Sequence, residues 1–164
     1  MWFLVKVTAL TIATILLAGC GAPGDTEGKN NLNENSPFSG RWRVLAVAVP
    51  DTGIQALVDN DPGYMGSFLS ITDEQLKWET TVQSAEDICE RPVFTELTEK
   101  VSDELAPQLK KLGVAKAKPY SLKCNTGVWG PYDAETQVFF LAPDGTLVLR
   151  WYDGGLLKLV RDYS

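Results

Sequence analysis

Residues 137–161 read Gln137-Val138-Phe139-Phe140-Leu141-Ala142-Pro143-Asp144-Gly145-Thr146-Leu147-Val148-Leu149-Arg150-Trp151-Tyr152-Asp153-Gly154-Gly155-Leu156-Leu157-Lys158-Leu159-Val160-Arg161. The runs to Leu141 and from Leu147 to Trp151 are rich in branched and aromatic side chains, which pack well on a pleated surface. Between them, Pro143-Asp144-Gly145 supplies a preset φ, a turn-forming aspartate and a glycine free to take positive φ, so the two runs predict a hairpin. Asp153-Gly154-Gly155 turns the chain again into Leu156 to Arg161. The C-terminal stretch therefore predicts a three-stranded antiparallel meander.

Upstream segments supply more strands of the same kind. Gly40 to Val49 is a β-rich run ended by Pro50-Asp51-Thr52-Gly53, and its apolar residues occupy both parities after Arg43, which predicts burial on both faces. Ser67 to Ile71 and Gln75 to Glu79 predict a hairpin across Thr72-Asp73-Glu74. Pro92 to Thr98 is a further strand, with its proline suited to an edge or a strand start. Tyr120, Leu122 and Cys124 share one face of another, which Asn125-Thr126-Gly127 ends. Ile54 to Val58 fits no single element, and Asp59-Asn60-Asp61-Pro62-Gly63 is a turn cluster.

One helix is predicted over Ser102 to Leu112. Ser102 suits its N-cap, Asp103 and Glu104 its first turn, and Lys110, Lys111 and Gly113 its end. Leu105, Leu109 and Leu112 fall on one face. Pro107 lacks a backbone donor, so the helix either starts at Ala106 and Pro107 or kinks there. The expected domain, Phe38 to Ser164, thus has about eight short strands and one helix. Eight antiparallel strands close most readily into a small barrel, which removes exposed edges; a two-sheet β-sandwich is the alternative.

Gly40-Arg41-Trp42 on the first strand resembles the Gly-x-Trp opening of lipocalin-like barrels. That resemblance implies a structural role for Gly40 and for Trp42, which would plug the barrel base against an arginine of a late strand, Arg150 or Arg161. It is architectural and carries no function by itself.

The N-terminus reads as an address. Lys6 precedes an apolar run from Val7 to Leu17, and Leu16-Leu17-Ala18-Gly19-Cys20 places small residues directly before a cysteine, the pattern of a secretory signal. The ending resembles the lipobox of bacterial lipoproteins. It implies removal of residues 1–19 and lipidation of Cys20, giving a membrane partner through the N-terminal lipid. An uncleaved anchor fits less well, because Lys6 and the closing Gly19, Gly21 and Pro23 leave too short an apolar run. Gly21 implies the outer membrane, facing the periplasm, if the cell has one, and otherwise a Gram-positive surface. Residues 20–37 hold one sizeable apolar side chain, Leu32, and read as a flexible tether about 20–25 Å in end-to-end reach.

Processing changes the meaning of the composition. Loss of Lys6 takes the net charge from −6 to −7. Such a chain lacks the clustered cations that hold nucleic acid and suits a basic protein partner instead. With Cys20 lipidated, Cys89 and Cys124 remain as an even pair in an oxidising compartment and are expected to form a disulfide. In the chain-entropy model it contributes up to about 4 kcal/mol.

Catalytic signals are missing. The chain has no histidine, which removes the usual general base and the commonest metal ligand. No nucleophile elbow or phosphate-cradling glycine loop occurs. Asp59, Asp61 and Gly63 hint at a calcium loop, but Tyr64 replaces its required glycine and Ser70 its closing glutamate, so a turn is the reading. Glu86, Asp87 and Glu90 form an acidic loop around Cys89. No catalytic residue, metal or cofactor is assigned.

Thr126-Gly127-Val128-Trp129-Gly130-Pro131-Tyr132 is the candidate binding stretch. Trp129 and Tyr132 in a glycine- and proline-rich loop suit an exposed recognition surface; alternatively Trp129 closes one end of the core, with Trp42, Trp78 and Trp151 as core residues. The expected role is an envelope binding protein, of inhibitor or protective type. In size, address and the Tyr120-x-x-x-Cys124 placement it is similar to barrel lipoproteins that inhibit lysozyme. Alternatives are a lipocalin-like carrier of a small apolar ligand and a structural or assembly accessory of the outer membrane. The cysteine pairing is directly testable: intact mass after alkylation is expected to show no free thiol at Cys89 or Cys124 before reduction and two after it.

Overall fold

The computed structural model describes residues 36–51, 53, 55–79 and 87–164. Cys20, the signal, the tether up to residue 35, Ile54 and Glu86 lie outside the described residues. Ten strands follow in chain order: β1 (Gly40–Ala48), β2 (Phe68–Ile71), β3 (Gln75–Trp78), β4 (Ile88–Glu90), β5 (Val93–Glu96), β6 (Lys118–Lys123), β7 (Thr126–Val128), β8 (Phe139–Leu141), β9 (Leu147–Arg150) and β10 (Leu156–Asp162). One short helix, α1 (Ala106–Lys111), lies between β5 and β6. All pairings are antiparallel, in the order β5-β6-β8-β9-β10-β1-β2-β3-β4-β7. The sheet curls into a half-barrel.

Two expectations are thereby corrected: there are ten strands rather than eight, and the barrel does not close. The additional strands are β4 and β7, three residues each. Neither has an alternating pattern of its own; β4 is a strand through its pairing with β3, Leu76 opposite Cys89, and β7 through its pairing with β4, Ile88 opposite Val128, Cys89 opposite Gly127 and Glu90 opposite Thr126. The β5–β6 ladder continues in the same register, starting at Val93 opposite Lys123. Between the two ladders stand Arg91, at φ 46°, and Pro92, which has no donor to give a ladder. The interruption leaves β5 and β7 as the edges.

The strands alternate between two faces. Into the curl point Trp42, Leu69, Leu76, Leu149, Trp151 and Leu157, all at most 1% exposed. Phe140, Val148 and Leu156 point the other way and are covered by Leu105, Leu109 and Leu112 around α1. The double parity of the first strand has a local cause. The β1–β10 register slips between Val44 and Ala46, leaving Leu45 exposed. Trp42, Val44 and Val47 thus share the inner face, while Ala46 and Ala48 meet the helix side. A β-bulge of this kind re-aims every later side chain.

The helix starts as a 3-10 turn, Asp103–Leu105, and becomes α-helical at Ala106. Pro107 sits in its first turn, where no backbone donor is required. Ser102 makes no side-chain cap; its N–H donates to Gln137 Oε1 at 3.2 Å. Gly113, at φ 70°, ends the helix, its N–H donating to the Lys110 carbonyl at 3.0 Å.

Gly127 is the tightest backbone position. It takes φ 87°, and a Cβ there would stand 2.0 Å from the Ile88 carbonyl oxygen. Gly127→Ala is therefore expected to part β4 from β7 and to cost about 2–4 kcal/mol in urea unfolding. Gly145→Ala, at φ 83° with open space around it, should cost only about 1 kcal/mol.

Candidate binding groove

In the expected recognition loop the tryptophan belongs to the core, while Thr126, Val128 and Pro131 are exposed. Trp129 is 4% exposed and lies against Trp78 and Trp151, with ring centroids 6.2 and 5.2 Å away. Gly130 makes this possible, since a Cβ there would meet the Trp151 ring at 3.3 Å. Trp129 thus presents no ring to a partner: of the two readings of this stretch, the exposed ring is corrected, and the fold has the other, in which Trp129 closes one end of the core. Tyr132 is half-buried, donates its hydroxyl to the Trp151 carbonyl at 2.7 Å, and carries the Arg150 guanidinium 4.7 Å above its ring. Burial pushes its phenol up from the ordinary value. The indole N–H groups of Trp78 and Trp129 have no hydrogen-bond partner among the described residues.

The opposite end of the curl is closed by Gly40, Trp42 and Arg161. The Arg161 guanidinium lies 4.5 Å over the Trp42 ring. It donates to the Ser39 carbonyl and to the Pro37 carbonyl at 2.7 Å. Gly40 leaves the room, because a Cβ there would stand 2.6 Å from Arg161 Nη1. Trp42 Nε1 donates to the Phe38 carbonyl at 2.8 Å, and Phe38 stacks on Phe94 at 4.2 Å. Of the two candidate arginines it is Arg161 that meets Trp42. Arg150 pairs instead with Glu104 at 3.0 Å.

Cys89 and Cys124 stand at disulfide distance, their Cα atoms 5.1 Å apart. The link lies at the break between the β4–β7 and β5–β6 ladders. Of the acidic loop around it, Asp87 accepts from the Tyr152 hydroxyl at 3.3 Å and Glu90 from Gln75 at 3.1 Å. The turn aspartates serve the backbone: Asp61 accepts from Gly63 N–H and Asp59 from Val49 N–H, both at 2.8 Å. Lys111 ties Asp51 and Asp59 together at 2.7 and 3.3 Å. Among the described residues no group of acidic or sulfur side chains is arranged to hold a metal ion.

The open feature lies outside the curl. A groove of about 930 Å³ runs between α1 and the start of β6, walled by Leu97, Val101, Leu109, Val114, Ala117 and Pro119. Lys100, Lys110, Lys116 and Lys118 stand around it, with Glu99. Lys118 is engaged by Glu96 at 2.8 Å. That hydrogen bond, with a second from Tyr120, holds the Glu96 carboxyl below its usual range. Lys100, Lys110 and Lys116 make no ion pair among the described residues. An adjoining groove of about 780 Å³ shares Lys116 to Lys118 and reaches Pro37 and Tyr163. Sequence reading treated the helix-end lysines as dipole partners and missed this groove. The available signal was the concentration of lysine between residues 100 and 118 of an acidic chain.

No protein-family model, curated protein or solved structure matches this chain. No helix among the described residues is long and apolar enough to cross a membrane.

Two outcomes follow from these contacts. Arg161→Ala uncovers Trp42 and removes the guanidinium donor to the Ser39 and Pro37 carbonyls; it is expected to cost about 2–3 kcal/mol in chemical unfolding, with Arg161→Lys recovering part of the loss. The second concerns pH. Several carboxyls are held below the ordinary range, chiefly by hydrogen bonds: Asp59 by Val49 N–H, Asp133 by Thr136, Asp144 by Thr146 N–H and Asp162 by Ser164. A depressed native value means that the unfolded chain takes up protons first, so this stability is present above the unfolded carboxylate pKa and lost as pH falls below about 4. With no histidine to titrate, the thermal midpoint should be flat between about pH 5.5 and 8 and fall on acidification below about 4.

Proposed function

We propose that this chain is a lipid-anchored binding protein of the cell envelope that engages its ligand on the outer surface of the half-barrel. The observation that carries the reading is the filling of the curl: Trp42, Trp78, Trp129 and Trp151 are all at most 7% exposed, whereas ligand sites are largely preformed clefts. The Leu16 to Cys20 resemblance supports the anchor, with residues 1–19 as signal, 20–37 as tether and 38–164 as the binding domain. Gly40, Trp42 and Arg161 support a lipocalin-like relationship at the base of the curl. Protein binding of inhibitor or protective type suits the acidic body, although the Ser/Gly/Tyr-rich loop used by lysozyme-inhibiting lipoproteins is missing here.

A second reading, a carrier with an apolar ligand inside the curl, draws on the unpartnered indole N–H groups of Trp78 and Trp129. It requires the tryptophan cluster to part. Phe140 and Phe68 offer it no lining, since Phe140 faces the helix side and Phe68 lies under the Arg41 guanidinium at 3.5 Å.

Fractionation tests the anchor, and site-specific photocrosslinking in intact cells tests the surface. Cys20→Ser is expected to release the protein from membranes, and its retention there at the processed size would remove the anchored reading. A crosslinker at Ala115, on the groove, should trap a ligand or partner, while one at Asp73, on the β2–β3 turn, should not. Equal trapping at both positions would count against an outer groove.

A further inference from the structure

We infer that the groove between α1 and β6 binds a single-chain anionic amphiphile, a long-chain carboxylate, with its tail along the apolar wall and its head among Lys100, Lys110 and Lys116. The inference rests on the reading of the chain as a binding protein acting through its outer surface, and it names the chemistry of the ligand.

The groove combines two properties that one amphiphile would use together. Its wall is apolar over Leu97, Val101, Leu109, Val114, Ala117 and Pro119, a surface that gains by excluding water. Its rim is cationic in a chain whose net charge is −6. Five of the fifteen Lys and Arg residues fall between positions 100 and 118. Two of these are neutralised within the fold, Lys111 by Asp51 and Asp59 and Lys118 by Glu96. The other three have no such partner among the described residues, and only Glu99 opposes them on the rim. Lysine stems can lie along an apolar wall while their ammonium groups stay in water, so head and tail of one amphiphile are served together.

The alternatives fit less well. A neutral lipid leaves the three ammonium groups without a counter-charge, and a cationic one meets them directly. Nucleic acid would need phosphate contacts along a wider basic track, and no aromatic ring lines the groove for base stacking. The volume, about 930 Å³, lies within the range of small-molecule clefts. The adjoining groove leads to Pro37, the point where the proposed tether leaves the domain, so a lipid anchor at Cys20 would keep the groove within tether reach of the membrane that supplies such molecules.

The test uses the full chain in zwitterionic phosphatidylcholine vesicles with a diazirine-bearing hexadecanoate. Irradiation is expected to place adducts within residues 97–119, and unlabelled hexadecanoate should compete them away. Lys110→Glu combined with Lys116→Glu, both at exposed positions, should lower labelling about tenfold. Lys77→Glu, exposed on β3 and away from the groove, should leave it unchanged, with circular dichroism checking that every variant is folded. A diazirine-bearing hexadecanol should label about tenfold less than the carboxylate. No adduct within 97–119, or adducts insensitive to both head group and lysine reversal, would overturn the inference. The anchored reading would survive either result, because the fractionation of the Cys20→Ser protein tests it separately.

Discussion

The pairing of β1 with β10 holds the two halves of this protein together. In the sheet order these strands are the central neighbours: β5, β6, β8 and β9 lie on one side, and β2, β3, β4 and β7 on the other. Their ladder has seven paired positions, from Arg41 opposite Asp162 to Ala48 opposite Leu156. Every one of these joins the start of the domain to its end, so the loop-closure entropy must be met before the ladder offsets it. The hairpins on either side are local and can form first. Without the central ladder the halves would be joined chiefly where β4 runs into β5 and β6 into β7, and by the Cys89–Cys124 link there.

The ladder also organises the two faces. Its bulge at Leu45 rotates the strand between the inner core and the helix side, so one strand serves both. Its lower end brings Arg161 opposite Trp42, and the missing side chain at Gly40 lets the guanidinium settle over the ring and reach two backbone carbonyls. The charge is satisfied while the indole is covered, a combination suited to closing the end of a core. At the other end the same work is done by aromatic rings alone. A curl closed at one end by Arg161 and filled at the other by tryptophans has its interior committed to stability. That commitment directs attention to the outer groove, where an apolar wall coincides with lysines that have no ion pair among the described residues.

Much of the sheet was legible locally. Residues 137–161 carry their turns in their own sequence, and β8, β9 and β10 lie where those turns predict. The β2–β3 hairpin is legible for the same reason. β4 and β7 were not, because Ile88-Cys89-Glu90 becomes a strand by pairing with β3 and Thr126-Gly127-Val128 by pairing with β4, partners that neither segment's own pattern announces. Ser102 had the chemistry of a cap, yet its backbone is taken up by Gln137, 35 residues away. Trp129 illustrates the limit most directly: a Gly-Pro loop with two aromatics looks the same in sequence whether its rings face a partner or the core.

The sequence by itself determined the mainly β character, the positions of the tight turns, the absence of histidine chemistry and the acidic balance, because each depends on a residue's own backbone preference or charge. It also suggested which cysteines could pair, and the fold brings those two to disulfide distance. Only the tertiary structure decided the strand count, the open edges at β5 and β7, the choice of Arg161 over Arg150 as the neighbour of Trp42, and the inward turn of Trp129. The groove belongs to the same group. Its walls come from segments on both sides of α1, and which lysines are left unpaired there depends on where Glu96, Asp51 and Asp59 arrive in space.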